Sequence, residues 1–166
     1  GVTQILAGEL TPLAADGSAA RRLWNAVDHA RQASKAGPDE SEELLRDTVI
    51  QCAQSWASCY SAVVVRLSGG VDSAILLACL TADATNAAPV CLNYYAAGTD
   101  TDERSYARLA ARQCGATLIE RTVNEGFRLE EALDVARTPL PANYVGAMAT
   151  MRTDAEVAAT HRAQAV

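Results

Sequence analysis

The run VVVRLSGGVDSAILLACL, residues 63–80, is interrupted for six residues by SGGVDS and then resumes its apolar course. Adjacent Gly69 and Gly70 suit neither a strand nor a helix, because glycine carries the largest backbone entropy and packs nothing. Something other than core packing therefore places them there. The stretch AVVVRL before the break, residues 62–67, is short, β-branched and apolar, which predicts a strand covered on both faces. After Ser73 the apolar positions take helical spacing to about Asp83. A strand that turns through glycines into a helix is how an open α/β sheet offers a ligand site outside its carboxyl edge.

The rest of the chain fits such a sheet. APVCLNYY, residues 88–95, and ATLIERTV, residues 116–123, predict two further strands, with a helix over 102–114 between them that Gly115 ends. Upstream, residues 1–13 read as an extended piece with a Thr-Pro turn. Ser18 predicts a capped helix to Lys35, which Gly37 and Pro38 close. Asp39 or Ser41 then caps a helix to about Ser58, whose one face carries Leu44, Leu45, Thr48, Val49, Cys52 and Trp56. Downstream, helices are expected over 127–137 and 145–165, separated by the breaker cluster TPLPAN. The β-α-β-α-β-α order predicts an α/β fold, an open parallel sheet with right-handed crossovers and flanking helices. The two leading helices are expected on one face of that sheet.

Composition removes several functions. A length of 166 residues is about one domain, and a net charge of -6 argues against a nucleic-acid partner, which needs clustered Lys and Arg. No apolar run is long enough for a membrane span, and none resembles a signal peptide. Five cysteines (Cys52, Cys59, Cys79, Cys91 and Cys114) make an odd count without a C-x-x-C pair. They predict buried free thiols in a reducing, cytoplasmic setting rather than disulfides. Neither His29 nor His161 lies at zinc-ligand spacing from them. Trp24, Trp56, Tyr94 and Tyr95 are scattered and read as core or rim residues.

The glycine break itself reads as an anion loop. Neighbouring glycines let backbone N–H groups approach a phosphate, the following helix aims its positive end at the same point, and Ser68 and Ser73 add hydroxyls. Asp72 would repel phosphate unless a cation lay between them, which suggests Mg²⁺. The sole lysine is Lys35, so the lysine-bearing P-loop is excluded, and no G-x-G-x-x-G is present. Arg66, just before the loop, faces either phosphate or a carboxylate partner. Asp100, Asp102 and Glu103 suit a second metal, a loop-orienting role or a helix cap.

SGGVDS, Ser68 to Ser73, resembles the S-G-G-x-D-S pyrophosphate loop of the PP-loop ATP pyrophosphatases, which cleave ATP between the α- and β-phosphates. LNYYAAGTDTDERSYARLAARQCGA further resembles the asparagine synthetase-like branch, and GTDTDE is similar to its ring-closing members, the β-lactam synthetases and lasso-peptide cyclases. Residues 1–17 resemble the end of a glutaminase-like domain, and residues 18–166 the N-terminal half of the ATP-binding synthetase domain. The resemblance implies ATP and Mg²⁺ as cofactors. It implies that Ser68, Gly69, Gly70 and Ser73 hold the β- and γ-phosphates, that Asp72 ligates Mg²⁺, and that Leu67 and the backbone near Ala96 cradle adenine. The implied activity is a carbon–nitrogen ligase that adenylates a small-molecule or peptide carboxylate and passes the acyl group to an amine or ammonia.

The resemblance lacks the family's S-G-E-G-x-D segment and its later catalytic Lys and Glu, so no residue is assigned to the second half-reaction. The expectation is an incomplete domain, completed by a C-terminal half on another chain or by self-association. Two other readings stay open: a nucleotide-binding module without catalysis, and a PP-loop tRNA-modifying ligase. The acidic charge and the missing C-x-x-C disfavour the latter.

Overall fold

The structure, a computed structural model, describes residues 4–13, 19–32, 36–82, 89–123 and 145–166. It divides into two compact units, Gly1–Glu42 and Glu43–Val166. The expected helix over 127–137, the breaker cluster, Ser18 and Lys35 lie outside the described residues.

In the first unit a short antiparallel pair joins β1 (Glu9–Leu10) to β2 (Arg21–Arg22), with Glu9 opposite Arg22. This corrects the expectation of a helix from Ser18. The helix α1 covers only Ala26–Arg31, because Asn25 is its cap: Asn25 Oδ1 accepts the Val27 N–H at 2.9 Å. The residues before it are drawn into pairing with β1. Gly8, at φ +79°, leaves no room for a side chain, since a Cβ there would lie 2.1 Å from the Trp24 carbonyl oxygen. Trp24, itself exposed, stacks on His29 with centroids 5.8 Å apart.

The helix α2 runs Pro38–Ala57. Pro38 therefore opens a helix rather than closing the previous one, as suits a residue whose missing N–H is unneeded in a first turn. Its apolar stripe is not the packed face that the spacing predicts. Leu45 is 64% exposed and Trp56 73% exposed, while the small residues Ala53 and Ala57 face the core.

The second unit is built on a parallel sheet in the order β3 (Val64–Arg66), β4 (Val90–Tyr95), β5 (Thr117–Thr122). Val65 pairs with Cys91 and Cys91 with Leu118, so alternate residues sort to opposite faces. Val65, Leu67, Cys91 and Leu118 pack against α3 (Val71–Thr81) and α4 (Arg104–Gln113) through Leu77, Leu80, Ala107 and Ala111. Val64, Leu92 and Ile119 pack on the other face against Val157 of α5 (Val145–Thr160). Three strands and their helices thus form where the apolar runs predict them, each within a few residues.

Two differences concern the sheet's outer edge and the thiols. The last helix stops five residues early, at Thr160. Arg162 takes φ +54°, and Ala165 bridges Val63 in parallel, its carbonyl accepting the Val64 N–H at 2.9 Å. Among the described strands β3 is at the end of the sheet, and the 163–166 segment partly covers its free side. All five cysteines are free, but Cys52 and Cys59 are exposed, because the α2 stripe that carries Cys52 faces outward. No described helix is long and apolar enough to cross a membrane.

Candidate functional site

The last ladder bond of β3 with β4 runs from the Leu67 N–H to the Leu92 carbonyl, at 2.9 Å. The chain then leaves the sheet at Ser68 and enters α3 at Val71 with Gly70 as the N-cap residue. Gly69 makes the turn at φ +105°, a conformation that costs a side-chain-bearing residue heavily. It also touches the start of the neighbouring helix: a Cβ on Gly69 would lie 2.6 Å from the Glu103 carbonyl oxygen. Gly70, by contrast, has an ordinary φ of −75° and would bring a Cβ no nearer than 3.5 Å to Ser68 Oγ. The positive φ of this loop therefore belongs to the first glycine alone.

The loop's hydroxyls brace it from within. Ser68 Oγ accepts the Gly70 N–H at 3.2 Å and lies 3.1 Å from Ser73 Oγ, which also bonds the Gly70 carbonyl. Among the described residues nothing accepts from the N–H of Ser68 or Gly69, and no side chain caps the first turn of α3. A cluster of unpaired N–H groups at a helix start is an anion-binding arrangement. Asp72 is exposed in that first turn and has no ion-pair or hydrogen-bond partner among the described residues. Ser68, Gly69, Gly70, Asp72 and Ser73 are thus brought together. Leu67 is fully buried in the core, and its N–H and carbonyl are both bonded to β4, at Leu92 and Asn93, so it lies beneath the loop. Ala96 sits half-buried one residue past the end of the adjacent strand, its carbonyl accepting Thr99 Oγ1 at 2.8 Å.

The acidic segment after β4 is differently arranged. Thr99 and Thr101 share a hydroxyl contact at 2.9 Å. Asp102 accepts the Arg104 guanidinium through both oxygens, Nε at 2.8 Å, and the guanidinium lies 3.7 Å from the Tyr95 ring centroid. Those hydrogen bonds hold the Asp102 carboxyl below the usual carboxylate range. Asp102 therefore orients its own loop, while Asp100 is exposed and Glu103 stands at the N-cap of α4 without a side-chain cap bond. Among the described residues no three His, Cys, Asp or Glu side chains could share a metal. Arg66 meets a carboxylate partner on α5: it bonds Thr150 Oγ1 at 2.8 Å, stands 3.9 Å from Asp154 and lies over the Tyr94 ring. Tyr94 in turn donates to Asp154 at 2.9 Å, and burial, then that bond, push its phenol up to about 12.

One residue at the loop escapes the sequence reading. Asn93, 1% exposed in the middle of β4, donates its side-chain amide to the Leu67 carbonyl at 2.7 Å and to the Ser68 carbonyl at 3.2 Å. Its Oδ1 is buried without a partner among the described residues. The available signal is a lone amide inside an apolar strand, VCLNYY, since buried polar groups are costly unless bonded.

The family profile of asparagine synthase matches residues 40–151, about two thirds of the chain and all of the loop just described. This chain belongs to the asparagine synthase family. No curated protein gives a significant match to it. The parallel three-stranded sheet with its flanking helices is consistent with a PP-loop-type α/β fold, and the family is one of ATP-dependent amide ligases.

Proposed function

We propose that this chain binds Mg-ATP at the Ser68–Ser73 turn and activates a substrate carboxylate by adenylation, for later transfer to an amine or ammonia. The observation that carries the reading is the unused donor set: among the described residues nothing accepts from the N–H groups of Ser68 and Gly69, no side chain caps the first turn of α3, and the neighbouring Asp72 has no partner. The β- and γ-phosphates fit these donors, and the positive end of α3 favours their charge by about 0.3–2 kcal/mol. Adenine is expected near Leu67, at the end of β4 by Ala96.

Mg²⁺ commonly takes one or two carboxylates and completes its shell with phosphate oxygens and water, so a single free aspartate suffices. Asp72 would hold it, and the bound ion would supply charge neutralisation at the phosphates. In the reaction a carboxylate oxygen of the substrate attacks the α-phosphorus. The bond from that phosphorus to the oxygen bridging to the β-phosphorus breaks, and pyrophosphate leaves into the loop. The amine then attacks the acyl carbon and AMP departs. The loop's task is to hold the pyrophosphate end in line, which turns a collision into a positioned displacement.

The test is calorimetry of the purified protein with Mg-ATP and with pyrophosphate, followed by ATP–pyrophosphate exchange over a panel of amino-acid and peptide carboxylates. Saturable binding of both, and exchange dependent on one carboxylate, are expected. Absence of ATP and pyrophosphate binding at millimolar concentrations overturns the proposal. Binding without exchange for any carboxylate leaves a nucleotide-binding module as the better description.

A further inference from the structure

Gly69 creates a difficulty that Asn93 resolves. A glycine is needed where the loop presses on Glu103, yet a glycine lets the preceding peptide rotate between opposite orientations at little cost. In one orientation the Gly69 N–H faces the loop mouth, and in the other the Ser68 carbonyl does, which repels an anion. We infer that Asn93 is the positioning residue that fixes this choice, holding two successive peptides so that their N–H groups face the pyrophosphate. The inference rests on the loop being the phosphate site proposed above.

The geometry is direct. A trans peptide is planar, with its C=O and N–H pointing in opposite directions. The Asn93 amide holds the Leu67 carbonyl, so the Ser68 N–H of that peptide points away from Asn93. It also holds the Ser68 carbonyl, so the Gly69 N–H points away as well. These are the two N–H groups that no described residue accepts from. Leu67 makes the last ladder bond, so beyond it the sheet no longer dictates peptide orientation, and the side-chain amide takes over that role. The arrangement is tolerated at a cost: Asn93 Oδ1 stays buried with no partner among the described residues, where Cys91 on the same face fills its place with an apolar group. A residue chosen for packing alone would not carry that atom.

Three measurements decide. Asn93→Leu keeps size and burial and removes both donors; its pyrophosphate affinity is expected to fall about tenfold or more, equivalent to about 1.4 kcal/mol. Asn93→Asp donates only when its buried carboxyl is protonated. Its affinity divided by that of the wild type at the same pH should therefore recover as pH falls from 8 to 5.5, and the ratio cancels the ionisation of pyrophosphate itself. A merely structural residue would give a flat ratio. In the ¹⁵N-labelled wild type, the Asn93 side-chain amide signal should shift with pyrophosphate occupancy, which decides the matter if neither variant folds. Unchanged affinity in Asn93→Leu, a flat ratio in Asn93→Asp, or an unmoved amide signal overturns the role of Asn93 alone. Wild-type protein that binds neither ATP nor pyrophosphate overturns the loop reading beneath it.

Discussion

The turn from β3 into α3 and the turn from β4 into α4 are made of similar parts. Each has a glycine at positive φ, Gly69 at +105° and Gly98 at +76°, and each has an aspartate near its helix start. In the second turn the aspartate beside the helix is paired, Asp102 locked to Arg104, and Thr99 is bonded to Thr101 and Ala96, although Asp100 has no partner among the described residues. In the first turn the hydroxyls brace the backbone, but two N–H groups and Asp72 have no partner among the described residues. A loop with paired polar groups has a structural job completed within itself. A loop held rigid with its donors and carboxylate left over is preorganised for something from solution, since such groups stay available without reorganisation when the ligand arrives.

The glycines give the largest test of that contrast. Gly98 has open space where a Cβ would go, so Gly98→Ala carries only the strain of its φ, about 1–2 kcal/mol. Gly69→Ala adds a clash with the Glu103 backbone, which must move. Its loss of stability is expected to exceed that of Gly98→Ala, and its ATP affinity to fall beyond detection while Gly98→Ala still binds. Denaturant unfolding and calorimetry on the two variants check this; equal effects would mean the two turns are equivalent.

The aspartates come next. Asp72→Ala should weaken Mg-ATP binding by about 100-fold, or about 2.7 kcal/mol, whereas Asp102→Ala should cost less than about threefold. Metal-free pyrophosphate should bind the Asp72 variant no worse than the wild type, because a carboxylate that repels phosphate has gone. Equal losses for the two aspartates by calorimetry would refute the ranking. Gly70→Val follows, with about a tenfold loss of ATP affinity and little change in unfolding. Its φ of −75° suits valine and its near neighbour among the described residues is Ser68 Oγ, so the branch obstructs the approach to the loop rather than the fold. Unchanged ATP affinity in that variant would place the phosphates elsewhere.

Much of this was legible in the residues, for reasons that differ by element. The strands at β3, β4 and β5 are β-branched runs with sharp breakers, and the glycine pair marks the loop because packing offers no rival use for it. Helix α1 was misread because Ser18 and Asn25 are both good caps, and pairing of Arg21–Arg22 with Glu9–Leu10, a long-range event, selects the later one. The α2 stripe shows the same limit: Leu44, Leu45 and Trp56 have helical spacing, yet Ala53 and Ala57 are what the sheet accepts at that close approach. Asn93 was missed because its use depends on two carbonyls some 25 residues earlier in the chain. Periodicity places an element; it does not say which strand end it will meet.

The smallest effect concerns the turn whose aspartate is paired. The Arg104 hydrogen bonds hold the Asp102 carboxyl below its ordinary value of 3.8, so the folded state favours the ionised form more than the unfolded chain does. The stabilisation this gives is complete above that ordinary value and is lost as pH falls below it, through the depressed folded value. Asp102→Asn removes the charge and so this acid-dependent share. The midpoint difference between wild type and Asp102→Asn should therefore be constant from pH 7 to about pH 5 and shrink below about pH 4. Glu120, whose carboxyl Arg108 likewise holds low, remains in both proteins and cancels. Salt should reduce the difference, since the pair is only partly buried and remains open to some screening, and ATP affinity at neutral pH should stay within about twofold. A difference that persists unchanged to pH 2 would show that Arg104 does not hold this carboxylate. The contrast between the two turns would then rest on the glycines alone.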